Sequence, residues 1–214
     1  MQFQSFSILC LTTLLIAIPC TANDRCFNFS NPIQHAVKNP EAKELYASAP
    51  AAGIEQSSGV RGKDTYWASA SGVVNRPIAD ILKELQTHDA TRSGKVSEVK
   101  IDKLEDPHFL ERQRVHFVVK PFLFVKVEWT EDWGFSLLKG SPDRPGQILA
   151  SYEKIEGTSY ISHLCGNIDL AMLSDNSTRV VVYEEVRARS RSEEDTRKGV
   201  RRTILRLRGT LGKD

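Results

Sequence analysis

Residues 166–187 read Gly166-Asn-Ile-Asp-Leu-Ala-Met-Leu-Ser-Asp-Asn-Ser-Thr-Arg-Val-Val-Val-Tyr-Glu-Glu-Val-Arg187. Two extended stretches flank Ser174-Asp175-Asn176, residues that favour a turn. Strands joined so tightly pair antiparallel. Side chains alternate across a strand, so one face of the second arm carries Val180, Val182, Glu184 and Val186. The other carries Arg179, Val181, Tyr183, Glu185 and Arg187, and the first face is the better candidate for the interior. In the first arm, extended back to about 159, Tyr160, Leu164, Ile168, Leu170 and Met172 form an apolar face. His163, Cys165, Asn167 and Asp169 then point outward.

Beyond the hairpin the period changes to that of a helix. Ser192 with Asp195 three residues later resembles a capping pair, Val200, Thr203, Ile204 and Leu207 form an apolar stripe, and Gly209 is a stop. Residues 187–208 hold nine Arg or Lys against three acidic residues. This basic stretch suits either anionic lipid headgroups or an acidic partner. It also suits a plain solvated helix, with Glu193, Glu194 and Asp195 complementing the positive N-terminus.

Upstream, the residues from about 96 onward read as β. Strands are expected at about 96–105, 109–119, 122–133, 147–155, 159–173 and 178–189, separated by turns such as Asp106-Pro107 and Gly140-Ser141-Pro142-Asp143. Val115, Phe117 and Val119 share a face, as do Leu123, Val125, Val127 and Trp129. Tyr66–Val74 reads as one more strand, and Asn75-Arg76-Pro77 opens a helix with Ile78, Ile81, Leu82 and Leu85 on one side. The order predicts an α+β fold, a curved antiparallel sheet of about seven strands gripping a long C-terminal helix. A sheet wrapped on one helix leaves a space that suits an apolar ligand.

With the element order in place, the chain resembles the START-like superfamily (helix-grip, SRPBCC, polyketide cyclase-like). The resemblance lies in the Trp67–Val74 strand running into Arg76-Pro77-Ile78. It lies also in Gly166-Asn167-Ile168-Asp169-Leu170, the turn at Asn176, Thr178–Tyr183 and the amphipathic last helix, and it covers about residues 65–208. It implies a hydrophobic small molecule or lipid as partner, since that family mostly binds lipids, sterols and quinones. Some members are enzymes with polar residues in the cavity. A lipocalin-like barrel is the competing architecture, for which the early helix is awkward.

On this reading the cavity wall is Phe117, Val127, Trp129, Tyr160, Leu164, Ile168, Val182 and Val186, and the lid is Val200, Thr203, Ile204 and Leu207. The same residues would equally form a filled core, leaving a module that binds another protein by its surface. Glu184 is the one charge on its strand face. It is a headgroup anchor, the carboxylate of a cyclase-like or hydrolase-like enzyme, or a rim residue that reaches water or an arginine. His35, His88, His108, His116 and His163 lack metal-ligand spacing, and no nucleophile elbow, P-loop or dinucleotide fingerprint occurs. No metal or cofactor is expected.

The start of the chain speaks to compartment. An apolar run of 11 residues, Ile8–Ile18, is too short for a bilayer, which takes about 20. Cys20 and Ala22 supply the small residues of a cleavage site, so residues 1–22 read as a signal peptide, although no Lys or Arg precedes the run. A buried N-terminal helix and a lipid anchor at Cys20 are the alternatives. Residues 23–64 then form an extension with a short helix opened by Asn39-Pro40-Glu41, followed by a linker, and 65–214 the domain. Export, to periplasm or extracellular medium, leaves Cys26 and Cys165 as a disulfide pair or two separate thiols. If paired, they would draw Phe27, Phe29, Ile33 and Val37 across the outer sheet face. A net charge of +2 is too small to argue for nucleic acid.

Overall fold

The structure, a computed structural model, describes residues 53–91, 96–122 and 125–210. The signal segment, the helix expected after Asn39 and Cys26 lie outside these residues. The described chain forms one eight-stranded sheet and two helices. The strands are β1 (Glu55–Arg61), β2 (Thr65–Val74), β3 (Val96–Leu104), β4 (Glu111–Phe122), β5 (Val125–Ser141), β6 (Arg144–Gly157), β7 (Ile161–Ser174) and β8 (Ser177–Ala188). The helices are α1 (Ile78–Gln86) and α2 (Glu193–Leu207). The fold is the expected α+β sheet gripping a C-terminal helix.

The order across the sheet is β1-β2-β8-β7-β6-β5-β4-β3, and every neighbouring pair is antiparallel. After β2 the chain crosses through α1 to the far edge and meanders back strand by strand until β8 docks beside β2. The register between β5 and β6 shifts at Thr130/Glu131, where the extra residue is Ile155 of β6, and at Leu137/Lys139, where it is Leu138 of β5; such bulges bend a strand and increase its twist.

The eighth strand corrects the expected count of about seven. Residues 55–61, read as part of a linker because of Ser57-Ser58-Gly59, pair with β2 from Glu55↔Ser71 to Arg61↔Thr65. Gly59 is not a breaker here. A Cβ on it would meet the Trp67 indole at 2.8 Å, so the missing side chain lets the ring lie against the edge strand. Gly134 plays the same part within β5, whose residues beyond 133 carry no strand expectation: the Phe109 ring occupies the space its side chain would fill.

One apolar cluster sits on the concave face. It joins Ala70 of β2, Val115 of β4, Phe135 of β5, Ile148 of β6, Leu170 of β7 and Val180 of β8 to both helices. α1 contributes Ile78, Ile81 and Leu85, and α2 contributes Val200, Ile204 and Leu207. The ends of α2 are chemically defined. The Ser192 hydroxyl accepts from the Asp195 amide at 3.1 Å and donates to its carboxylate at 2.6 Å. At the other end Gly209 (φ 68°) donates to the Arg206 carbonyl and Thr210 to that of Leu205, the paired bonds of a Schellman stop.

Candidate ligand cavity

Between the concave face and one side of α2 lies a cavity of about 560 Å³. Its position follows from where the helix touches the sheet. Ile204 and Leu207 are fully buried in the core. At Gly72 of β2 a Cβ would meet Ile204 Cγ2 at 3.3 Å, so the far half of the helix is seated on the sheet. Toward residues 195–203 the interior opens.

Ten of the expected wall and lid residues line this space. Phe117, Trp129, Leu164, Ile168, Val182 and Val186 come from the sheet, and Val200 and Thr203 from α2. Tyr160 stands at the lip, 40% exposed, and Glu184 is on the wall. Three expected residues do not line it. Ile204 and Leu207 are spent on core packing, and Val127, although buried on the same face, belongs to the strand end beyond Trp129.

A chain of polar contacts crosses the apolar interior. Tyr152, Gly166, Glu184 and Ala68 stand in one row across β6, β7, β8 and β2. A side chain at Gly166 would collide with the Tyr152 hydroxyl, so the glycine is the gap through which Tyr152 reaches over β7. Its hydroxyl donates to Glu184 Oε2 at 3.3 Å. Arg191, from the connection between β8 and α2, donates from Nη2 to Glu184 Oε1 at 2.9 Å. Gly199 makes room from the helix side, for a Cβ there would lie 3.2 Å from that guanidinium. Two glycines, one in the sheet and one in the helix, thus enclose a tyrosine–glutamate–arginine chain. Glu184 takes the arginine-paired arrangement among those open to it.

Glu131 is the acid that strand reading missed. It is buried, and its two oxygens accept from the indole N–H groups of Trp129 (2.6 Å) and Trp133 (2.7 Å). Burial, with the Glu184 charge adding to it, pushes its pKa up to about 7 against the indole hydrogen bonds. Trp133 stacks on Tyr152 with centroids 4.3 Å apart, and Trp129 on Phe117 at 5.2 Å. Burial also drives the Tyr152 phenol well above its ordinary range, so its hydroxyl stays a donor. The signal for Glu131 was its parity with Trp129 on β5. For Tyr152 and Arg191 it was Gly166 and a loop, which no period marks.

Behind the aromatic wall His88 is buried in a left-handed turn (φ 61°). Its Nε2 lies 2.7 Å from Gln113 Oε1, and burial lowers its pKa to about 4. Because that amide oxygen can only accept, the proton sits on Nε2. His163 and Cys165 lie on the outer face, as strand alternation requires, with Glu185 3.4 Å from His163. Among the described residues no group of three or more His, Cys, Asp or Glu is placed to hold a metal.

No protein-family model matches the sequence, and none of the curated proteins matches it. Solved structures do. A STAR-related lipid transfer protein from Xanthomonas axonopodis shares the fold with a TM-score of 0.54 at 17% identity, over 76% of this chain and 95% of that one. The lipid transfer and protein localization domain of human StarD13 (DLC2) gives 0.53 at 10%, over 83% and 97%. Human StAR-related lipid transfer protein 5 gives 0.50 at 9%, over 80% and 91%. At such identities the likeness is one of fold, and the fold is START-like.

Proposed function

We propose that this START-like protein holds a lipid or other hydrophobic small molecule between its sheet and α2. The observation that carries the reading is the cavity of about 560 Å³ with an aromatic and aliphatic wall, a size and lining that suit a small apolar ligand. The names of the lipid transfer proteins that share the fold support it. The space also weighs against a filled core used only as a protein-binding module. Native mass spectrometry of protein purified from its own host tests the reading. A co-purifying apolar molecule is the expected result, and a protein that is empty and takes up no apolar probe would sink it.

Glu131 supports a second reading, acid–base catalysis on a bound molecule. A carboxyl that titrates near neutrality against a cavity is suited to moving a proton at its oxygens. This assigns to Glu131 the role that the strand pattern offered to Glu184, whose carboxylate is engaged by Arg191 and Tyr152. Turnover of a bound molecule that Glu131→Gln abolishes while binding persists is the outcome that favours it.

Export and a Cys26–Cys165 disulfide complete the proposal. Cys165 is 1% exposed on the outer face of the sheet, and both helices pack on the other face, which supports a further segment of chain lying over it. The basic face of α2, with Lys198 and Arg202 beside the exposed Tyr160 at the lip, supports contact with an anionic membrane. Flotation with vesicles that contain anionic lipid, and not with zwitterionic ones, is expected.

A further inference from the structure

The cavity wall and the cavity mouth differ in charge. The wall is largely aliphatic and aromatic, with Glu131, Tyr152, Glu184, Thr91 and Thr203 as polar members, whereas the mouth carries several guanidinium groups. Arg189 and Arg191 come from the connection after β8, and Arg202 and Arg206 from α2. Among the described residues the side chains of Arg189 and Arg202 make no hydrogen bond or ion pair. Arg191 spends only Nη2 on Glu184, and its Nε is a buried donor without a partner. One acid, Asp195, belongs to the same rim; the Ser192 hydroxyl, with Arg191 and Lys198 nearby, holds its carboxyl below the ordinary range, so it offsets part of the positive charge there.

Cations crowded on one rim repel one another and gain from an anion placed among them. Guanidinium groups match the planar oxygens of a carboxylate or a phosphate, and a hydrogen bond between ionised partners is about twice as strong as a neutral one. A buried donor such as Arg191 Nε is costly to leave unmade, and an acceptor arriving with the ligand relieves that cost. The aliphatic and aromatic part of the wall suits a hydrocarbon body, and the acids within it, Glu131 and Glu184, disfavour an anionic head there.

We infer that the ligand is an anionic amphiphile: an apolar body against Trp129, Leu164 and Ile168, with a carboxylate or phosphate head held at the mouth by Arg189, Arg191 and Arg202. The inference rests on the apolar-ligand reading and adds the chemistry of the head.

Four probes with one twelve-carbon tail separate the terms: dodecanoate, dodecyl phosphate, dodecanol and dodecylamine, titrated into the purified full chain at about pH 8 and followed by tryptophan fluorescence. At least one anion should bind roughly tenfold or more tightly than dodecanol, the scale of one charge-assisted hydrogen bond. The tighter of the two anions identifies the head as carboxylate or phosphate. Arg202→Gln and Arg189→Gln, exposed positions that leave the Glu184 pair intact, should each weaken the anion several-fold and dodecanol far less. Dodecanol binding as tightly as both anions, or dodecylamine binding more tightly, overturns the head assignment and leaves the apolar-ligand reading standing. If none of the four binds, the apolar-ligand reading falls and the inference with it.

Discussion

At the scale of single residues, Glu131 and His88 give the protein opposing responses to pH. Glu131 is raised to about 7 in the fold. Between about pH 4.5 and 7 the unfolded chain therefore releases a proton that the folded chain keeps, and stability falls as pH rises, by about 3 kcal/mol. His88 is lowered to about 4. Between about pH 6.5 and 4 the unfolded chain takes up a proton that the folded chain refuses, so stability falls as pH falls by a similar amount. Denaturant unfolding of Glu131→Gln across this range should gain about 3 kcal/mol relative to the parent on going from pH 4.5 to 8. A constant difference would mean that Glu131 titrates normally. Gly166→Ala tests the gap under Tyr152. The new methyl must displace the tyrosine and the backbone of β8, for about 1–3 kcal/mol. Tyr152→Phe, which loses only a hydrogen bond, should cost about 1 kcal/mol by the same denaturant unfolding.

At the scale of elements, periodicity was a sound guide wherever one face is buried and the other is not. In β8 the expected inward face of Val180, Val182 and Val186 is buried, although Val181 and Tyr183 on the opposite face are buried as well, and α2 buries the stripe read from its spacing together with Thr196. It failed where glycine takes part in packing. Gly59 and Gly134 look like breakers along the chain but are contact points for rings on neighbouring segments, Trp67 across the β1–β2 hairpin and Phe109 from before β4. The cap of α2 is a local device and so was legible. Ser192→Ala removes the acceptor for the Asp195 amide and should cost about 1 kcal/mol, or a fall of roughly 2–4 °C in Tm by calorimetry. An unchanged Tm would mean that tertiary contacts alone set the start of the helix.

At the scale of the whole molecule, the two sheet faces have different work. The concave face holds the cavity, while the outer face buries Val181, Tyr183 and Cys165 without help from either helix. From Gly53, beside β1, a disulfide with Cys165 has to cross three strand spacings, roughly 15 Å, well within the reach of the chain back to Cys26. In native protein from its own host both thiols should resist alkylation until reductant is added, with a mass gain of two labels afterwards. Labelling of both without reductant would remove the disulfide. The sequence by itself determined the element order from β2 onward, the inward faces of β7, β8 and α2, and hence the helix-grip architecture, because those depend on neighbours within one strand or one turn. Only the tertiary structure decided that the interior stays open, that Glu131 shares it with Glu184, and that guanidinium groups ring its mouth. Those properties depend on which side chains from distant strands meet, and on the two glycines, silent in any periodic pattern, that make room for them.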